Sequence, residues 1–157
     1  MSRLAAYVEK IPARYYPQIS VHEHLDIALT YGLGGTHLKS DQEIPVDWKG
    51  LLSKSFHEPA ELIHGDMAYG FLSPVFTSLS KKGYRGKSEK WELPLIRKPF
   101  KVYALGGIDV HNINRIGPMG FDGAAVLGAI WREQSMEDRL RVFEELKIQC
   151  QQKQYLA

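Results

Sequence analysis

The chain has 157 residues, 44% of them hydrophobic and 24% charged, with a formal net charge of +2. That is the balance of an ordinary globular domain, and it excludes a disordered tail or a dense basic nucleic-acid face. One cysteine, Cys150, excludes an internal disulfide, and no apolar run approaches the ~18 residues of a membrane span. The reading is a single cytoplasmic domain over residues 1–157, with no nucleic-acid or membrane partner.

In chain order, Leu4 to Lys10 reads as the end of a helix stopped by Pro12. Gln18-Ile19-Ser20-Val21 is a strand with His22-Glu23-His24 at its end. Leu25 to Tyr31 is a short helix closed by Gly32, and Gly35 to Leu38 is the next strand. Leu51-Leu52-Ser53 opens a strand that ends near Ser55-Phe56-His57. Glu58 to Gly65 is a helix with Pro59 at its start. Tyr69 to Leu72 and Lys101 to Leu105 are strands, His111 to Ile116 is a short helix, and Gly123 to Leu127 is the last strand. Ser135 and Asp138 cap a long helix with an apolar stripe at Leu140, Phe143, Leu146 and Cys150. Six strands, each followed by a helix or loop, argue for an α/β protein with a parallel sheet.

Three groups of residues carry chemistry. Gly106-Gly107-Ile108 and Leu127-Gly128-Ala129 follow the last two strands. Glycine lets backbone N–H groups approach a phosphate, so these turns read as an anion cradle or as plain tight turns. Ser73 to Gly83 holds several hydroxyls with Lys81 and Lys82 after a strand end, which suits a pyrophosphate or an ordinary polar loop. His22, Glu23, His24, His37, Asp41, Asp47 and His57 gather acids and imidazoles near strand ends. Their spacing matches no zinc pattern, and Glu23 and Asp41 are the oxygen donors Mg²⁺ would prefer.

Taken in order, HEHLDIAL (22–29), GGTHLKSDQE (34–43), SKSFH (53–57), SPVFTSLSKKG (73–83), ALGGID (104–109) and GFDGAAVLGAI (120–130) resemble the thiamine phosphate synthase family and its thiazole tautomerase relatives. The resemblance implies a (β/α)8 barrel, here with about six βα units because two strands and a helix precede this stretch in the family. It implies a transferase that joins hydroxymethylpyrimidine pyrophosphate to thiazole phosphate, with Mg²⁺, in thiamine biosynthesis. On that basis Lys81, Ser78 and Ser80 hold pyrophosphate, with Ser55 beside it. Gly106, Gly107, Leu127 and Gly128 hold the thiazole phosphate. Glu23 and Asp41 are metal ligands, Gln42 standing where the family has its second aspartate, and His22 and His57 line the pocket. His22-Glu23-His24 departs from the family's Asn-Asp motif. A non-catalytic thiazole-phosphate-binding relative and a thiazole tautomerase-like enzyme are the alternatives. A six-stranded sheet leaves two edges, and three outcomes are expected: the family's preceding strands belong before this start, a second copy covers the edges, or the Met1–Pro17 segment caps them.

Overall fold

A computed structural model describes residues 3–46, 48–63, 67–77, 86, 91, 93 and 98–151. The chain begins with α1 (Arg3–Val8) and a 3₁₀ turn (Ala13–Gln18), then alternates strands and helices. The strands are β1 (Ser20–His22), β2 (Gly35–Leu38), β3 (Leu51–Phe56), β4 (Tyr69–Leu72), β5 (Lys101–Leu105) and β6 (Gly123–Ala125). The helices are α2 (Leu25–Tyr31), α3 (Gly128–Trp131) and α4 (Met136–Gln151), with 3₁₀ turns at Pro59–Ile63 and Ile113–Arg115. All pairings are parallel and the strand order is sequential, β1 to β6. This is the order of a (β/α)8 barrel, here an open parallel sheet. Among the described residues β1 and β6 are its edges. No helix among them is long and apolar enough to cross a membrane.

The sheet has one buried face and one largely open face. On the buried one, Leu52, Phe56, Leu72, Val102 and Ala104 alternate along β3 to β5 and pack against Leu62, Ile113, Val142 and Leu146 from the segments that cross behind the sheet. A smaller cluster joins Val21 of β1 to Ala5 and Val8 of α1 and to Ile27, Ala28 and Leu33 around α2. The α1 segment therefore covers the outer side of β1, and Gly32 (φ 63°) supplies the left-handed C-cap that turns α2 back toward β2.

The other face carries the alternate residues: His22, His37, Ser53, Ser55, Tyr69, Phe71 and Tyr103. His37 sits at its centre. Its Nδ1 lies 2.8 Å from Ser53 Oγ and its Nε2 3.0 Å from Ser55 Oγ. The His22 ring stacks on it at 4.9 Å, and Phe71 approaches at 5.6 Å. Phe71, Tyr69 and Tyr103 then form a mutually tilted trio. This face is polar at β1 to β3 and aromatic at β4 and β5. Ser53, fully buried, is satisfied by the imidazole.

The short helix expected over His111 to Ile116 is a 3₁₀ turn at Ile113–Arg115, and two further elements differ. The stretch after Pro59 forms a 3₁₀ turn over Pro59–Ile63 rather than an α-helix through Gly65, whose neighbourhood lies outside the described residues. The apolar stripe of α4 is rotated: Val142 and Leu146 are buried, while Leu140 is 58% and Phe143 47% exposed. Val142 and Leu146, four residues apart, face the sheet, whereas Leu140 and Phe143 lie around the helix from them. The cap forms as a Ser135–Asp138 pair, with Ser135 Oγ accepting from the Asp138 N–H at 3.0 Å and donating to its carboxylate at 2.7 Å.

Asp122 anchors the approach to β6. Its carboxylate accepts from Lys98 Nζ and from the Val102 N–H, both at 2.7 Å. Burial pushes this carboxyl up, but the hydrogen bonds from Lys98 and Val102 outweigh it, and its pKa lies below the ordinary value. A depressed folded pKa contributes stability above the unfolded value of ~3.9 that is lost as pH falls through the folded one. Asp122→Asn should therefore lower the melting temperature at neutral pH, with the gap to the parent closing as pH falls below the unfolded value of ~3.9 and through the depressed folded one. A gap that persists unchanged in acid would contradict this. His37 behaves oppositely in charge. Burial, and then the nearby His22, lower its pKa, so the folded state favours the neutral ring. Its contribution is present above ~6.5 and lost as pH falls through its folded pKa. Thermal melts between about pH 8 and 5 should show a loss of stability that is shallower in His37→Gln.

Candidate functional site

Because every strand is parallel, the segments leaving their carboxyl ends share one rim. Glu23 follows β1, Lys39 follows β2, His57 follows β3, Ser73 follows β4, Gly106 follows β5 and Val126 follows β6. In parallel α/β sheets this rim is where ligands bind.

At the β5–β6 end the register pairs Leu105 with Ala125, so the two glycine turns leave neighbouring strands side by side. Gly106 and Gly107 have φ of 100° and 64°, a left-handed conformation that side chains resist. A Cβ on Gly107 would also strike the backbone of Phe76 and Thr77. The loop after β4 is bound to this turn through Val75 N–H to Leu105 O and Phe76 N–H to Gly106 O, each 3.0 Å. Asn112 Nδ2 donates to Gly107 O at 2.9 Å, and Asp109 caps the start of the next turn through the His111 N–H. The glycines are thus required first by backbone packing, which also fixes the turn's shape. Gly128 opens α3, and Leu127, 64% exposed, caps it with its carbonyl accepting from the Ile130 and Trp131 N–H groups.

At the β1–β2 end the arrangement differs from a two-carboxylate Mg²⁺ seat. Glu23 has a left-handed backbone (φ 64°), uncommon for a side chain of its size, and its N–H donates to His37 O at 3.3 Å. Its carboxylate lies 2.7 Å from Lys39 Nζ and 3.2 Å from His22 Nδ1. The hydrogen bond from Lys39 holds the Glu23 carboxyl below its ordinary pKa, and the same bond raises that of Lys39. Asp41 adds to the field on Lys39 but is exposed in the following turn. Gln42 is used structurally: its Oε1 accepts from the Lys39 N–H at 2.8 Å and its carbonyl from Lys54 Nζ at 2.5 Å. Among the described residues no group of three or more His, Cys, Asp or Glu side chains is arranged for a metal ion. The donor set at this rim does not fit Mg²⁺, which demands near-octahedral oxygen ligation.

Between these ends, Ser55 is tied to His37 Nε2, and His57 Nδ1 lies 2.9 Å from Ser73 O. A carbonyl only accepts, so Nδ1 carries a proton, and in the neutral ring Nε2 keeps the lone pair. Ser78, Ser80 and Lys81, and with them Lys82, lie outside the described residues. The structure thus brings Ser55, His22 and His37 into one network and Gly106, Gly107 and the 127–128 turn onto adjacent strands. Glu23 and Asp41 both act on Lys39, Glu23 through a direct ion pair and Asp41 through its field. Lys39, the partner of Glu23, was not singled out by sequence reasoning. Its signal was its place immediately after the β2 strand, one register position from the strand that carries Glu23.

No protein-family model matches the chain. A thiamine-phosphate synthase from Lysinibacillus sphaericus is 23% identical over 155 residues, covering 92% of this chain and 73% of the relative. One from Syntrophomonas wolfei is 30% identical over 138 residues, covering 80% of this chain and 66% of the relative. The crystal structure of thiamine phosphate pyrophosphorylase from Bacteroides thetaiotaomicron superposes with a TM-score of 0.65 at 28% identity, covering 95% of this chain and 80% of that one. The Pyrococcus furiosus thiamine phosphate pyrophosphorylase, at 21% identity, shows the same fold with a TM-score of 0.63. The order of the six motifs, the sequential parallel sheet and these relatives agree, and the chain belongs to the thiamine phosphate synthase family.

Proposed function

We propose that this protein joins hydroxymethylpyrimidine pyrophosphate to thiazole phosphate, releasing pyrophosphate and forming thiamine phosphate. The observation that carries this reading is the pairing of anion-suited turns at the carboxyl rim with a π-bearing sheet face, in a chain similar to named synthases over most of its length. The reaction breaks a C–O bond to pyrophosphate and forms a C–N bond to the thiazole. If the pyrophosphate departs first, positive charge develops on the pyrimidine methylene carbon. Phe71, Tyr69 and Tyr103 offer ring faces to planar heteroaromatic substrates and to that charge. Protein catalysis here is mainly positioning and stabilisation of the leaving anion.

In this reading the Gly106-Gly107 turn and the Leu127-Gly128 turn hold the thiazole phosphate through backbone N–H groups. Ser55, with Ser78, Ser80 and Lys81, receives the pyrophosphate, its hydroxyl oriented by His37. These small-molecule phosphates are the partners that the chemistry calls for. In the family Mg²⁺ supplies charge neutralisation for the leaving pyrophosphate. Lys81→Ala should cut thiamine phosphate formation by ~100-fold or more with an unchanged circular dichroism spectrum. Undiminished turnover in that variant would remove the assignment.

One observation favours a tautomerase-like relative instead: His57 has a fixed tautomer with Nε2 available as a base. If this chain moves a proton on a thiazole ring, His57→Ala should lose roughly 100-fold in thiazole isomerisation followed by NMR. An unchanged rate would dispose of that reading.

A further inference from the structure

We infer that the β1–β2 rim of this protein supplies its cationic charge from Lys39 in place of a divalent metal, so that it takes a pyrophosphate-class anion without Mg²⁺. The inference rests on the synthase reading for the identity of the anion, but its geometry stands apart from it. Lys39 Nζ lies 2.7 Å from Glu23 Oε1, and both side chains leave adjacent parallel strands at the ligand-binding end of the sheet. Two carboxylates neutralise one dication. One carboxylate neutralises one ammonium, and here that ammonium is part of the chain.

Several features reinforce this exchange. The carboxylate oxygen that a metal would need already accepts from Lys39, and His22 Nδ1 stands 3.2 Å from the same atom. A cation bound there would sit within a few Å of the ammonium and be repelled by it. Gln42 cannot replace the missing acid, because its side-chain oxygen accepts from the Lys39 N–H and so closes the turn. Lys39 is 53% exposed on its side chain, so its remaining N–H donors face solvent where an anion can approach.

Titration calorimetry of inorganic pyrophosphate into the full chain, once with EDTA and once with Mg²⁺, tests this. Binding in EDTA within about twofold of that in Mg²⁺ is expected, with Lys39→Gln weaker by about tenfold in EDTA and Lys39→Arg close to the parent. Lys39→Glu places a second carboxylate beside Glu23, and its pyrophosphate binding should become Mg²⁺-dependent. Binding by the parent that requires Mg²⁺, binding in neither condition, or Lys39→Gln equal to the parent would each overturn the inference. Turnover assayed on the same preparations separates the two ideas. Metal-independent pyrophosphate binding without thiamine phosphate formation would leave the Lys39 inference standing and remove the synthase reading.

Discussion

The parallel pairing of β1 to β6 is the constraint on which the rest depends. Parallel strands need a crossover between each pair, and the crossovers put apolar residues behind the sheet. They also send every strand's carboxyl end to the same rim. Residues from six separated parts of the sequence are thereby gathered with no sequence motif joining them. Glu23 and Lys39 meet only because Val21 pairs with Thr36 and His22 with His37. The two glycine turns are neighbours only because Leu105 pairs with Ala125.

Within that frame the two faces do different work. The outer face is a conventional core of Leu, Val, Phe and Ala. The inner face has few aliphatic side chains and a large share of groups with directional chemistry, held by each other rather than by packing alone. The His37 imidazole is the clearest case, since it satisfies two serines and supports a second imidazole by stacking. A face built this way is stable without being filled by Leu and Ile, and it keeps ring faces and hydroxyls accessible to a ligand.

Much of this was legible in the sequence. The Gly35–Leu38, Tyr69–Leu72 and Lys101–Leu105 strands and the Leu25–Tyr31 helix stand where the apolar runs and the Gly32 stop put them. Local pattern suffices there because each element is bounded by glycine or by a clear change of period. The α4 stripe was misjudged because hydrophobicity alone does not say which side of a helix the sheet lies on. Val142, next to the charged Arg141, is buried while the larger Phe143 is not. At the site, glycine turns are readable because their conformational demand is local. The Glu23–Lys39 pair is not, since it spans sixteen positions and exists only through strand register. Histidines and carboxylates at successive strand ends suggested a metal, whereas the fold gave Glu23 a lysine.

The serine–histidine network has a directional property that follows from its hydrogen count. A neutral imidazole has one N–H and one lone pair, so Ser53 and Ser55 cannot both donate to His37, nor both accept from it. An anion at Ser55 takes that hydroxyl's proton as a hydrogen bond. Ser55 must then accept from Nε2–H, and Ser53 must donate to Nδ1. Occupancy of the rim at Ser55 would thus be written into the tautomer of a ring beneath it. The buried Ser53 hydroxyl turns over whenever that tautomer switches, so a phosphate bound at Ser55 would be felt two residues back along β3 with no backbone movement required.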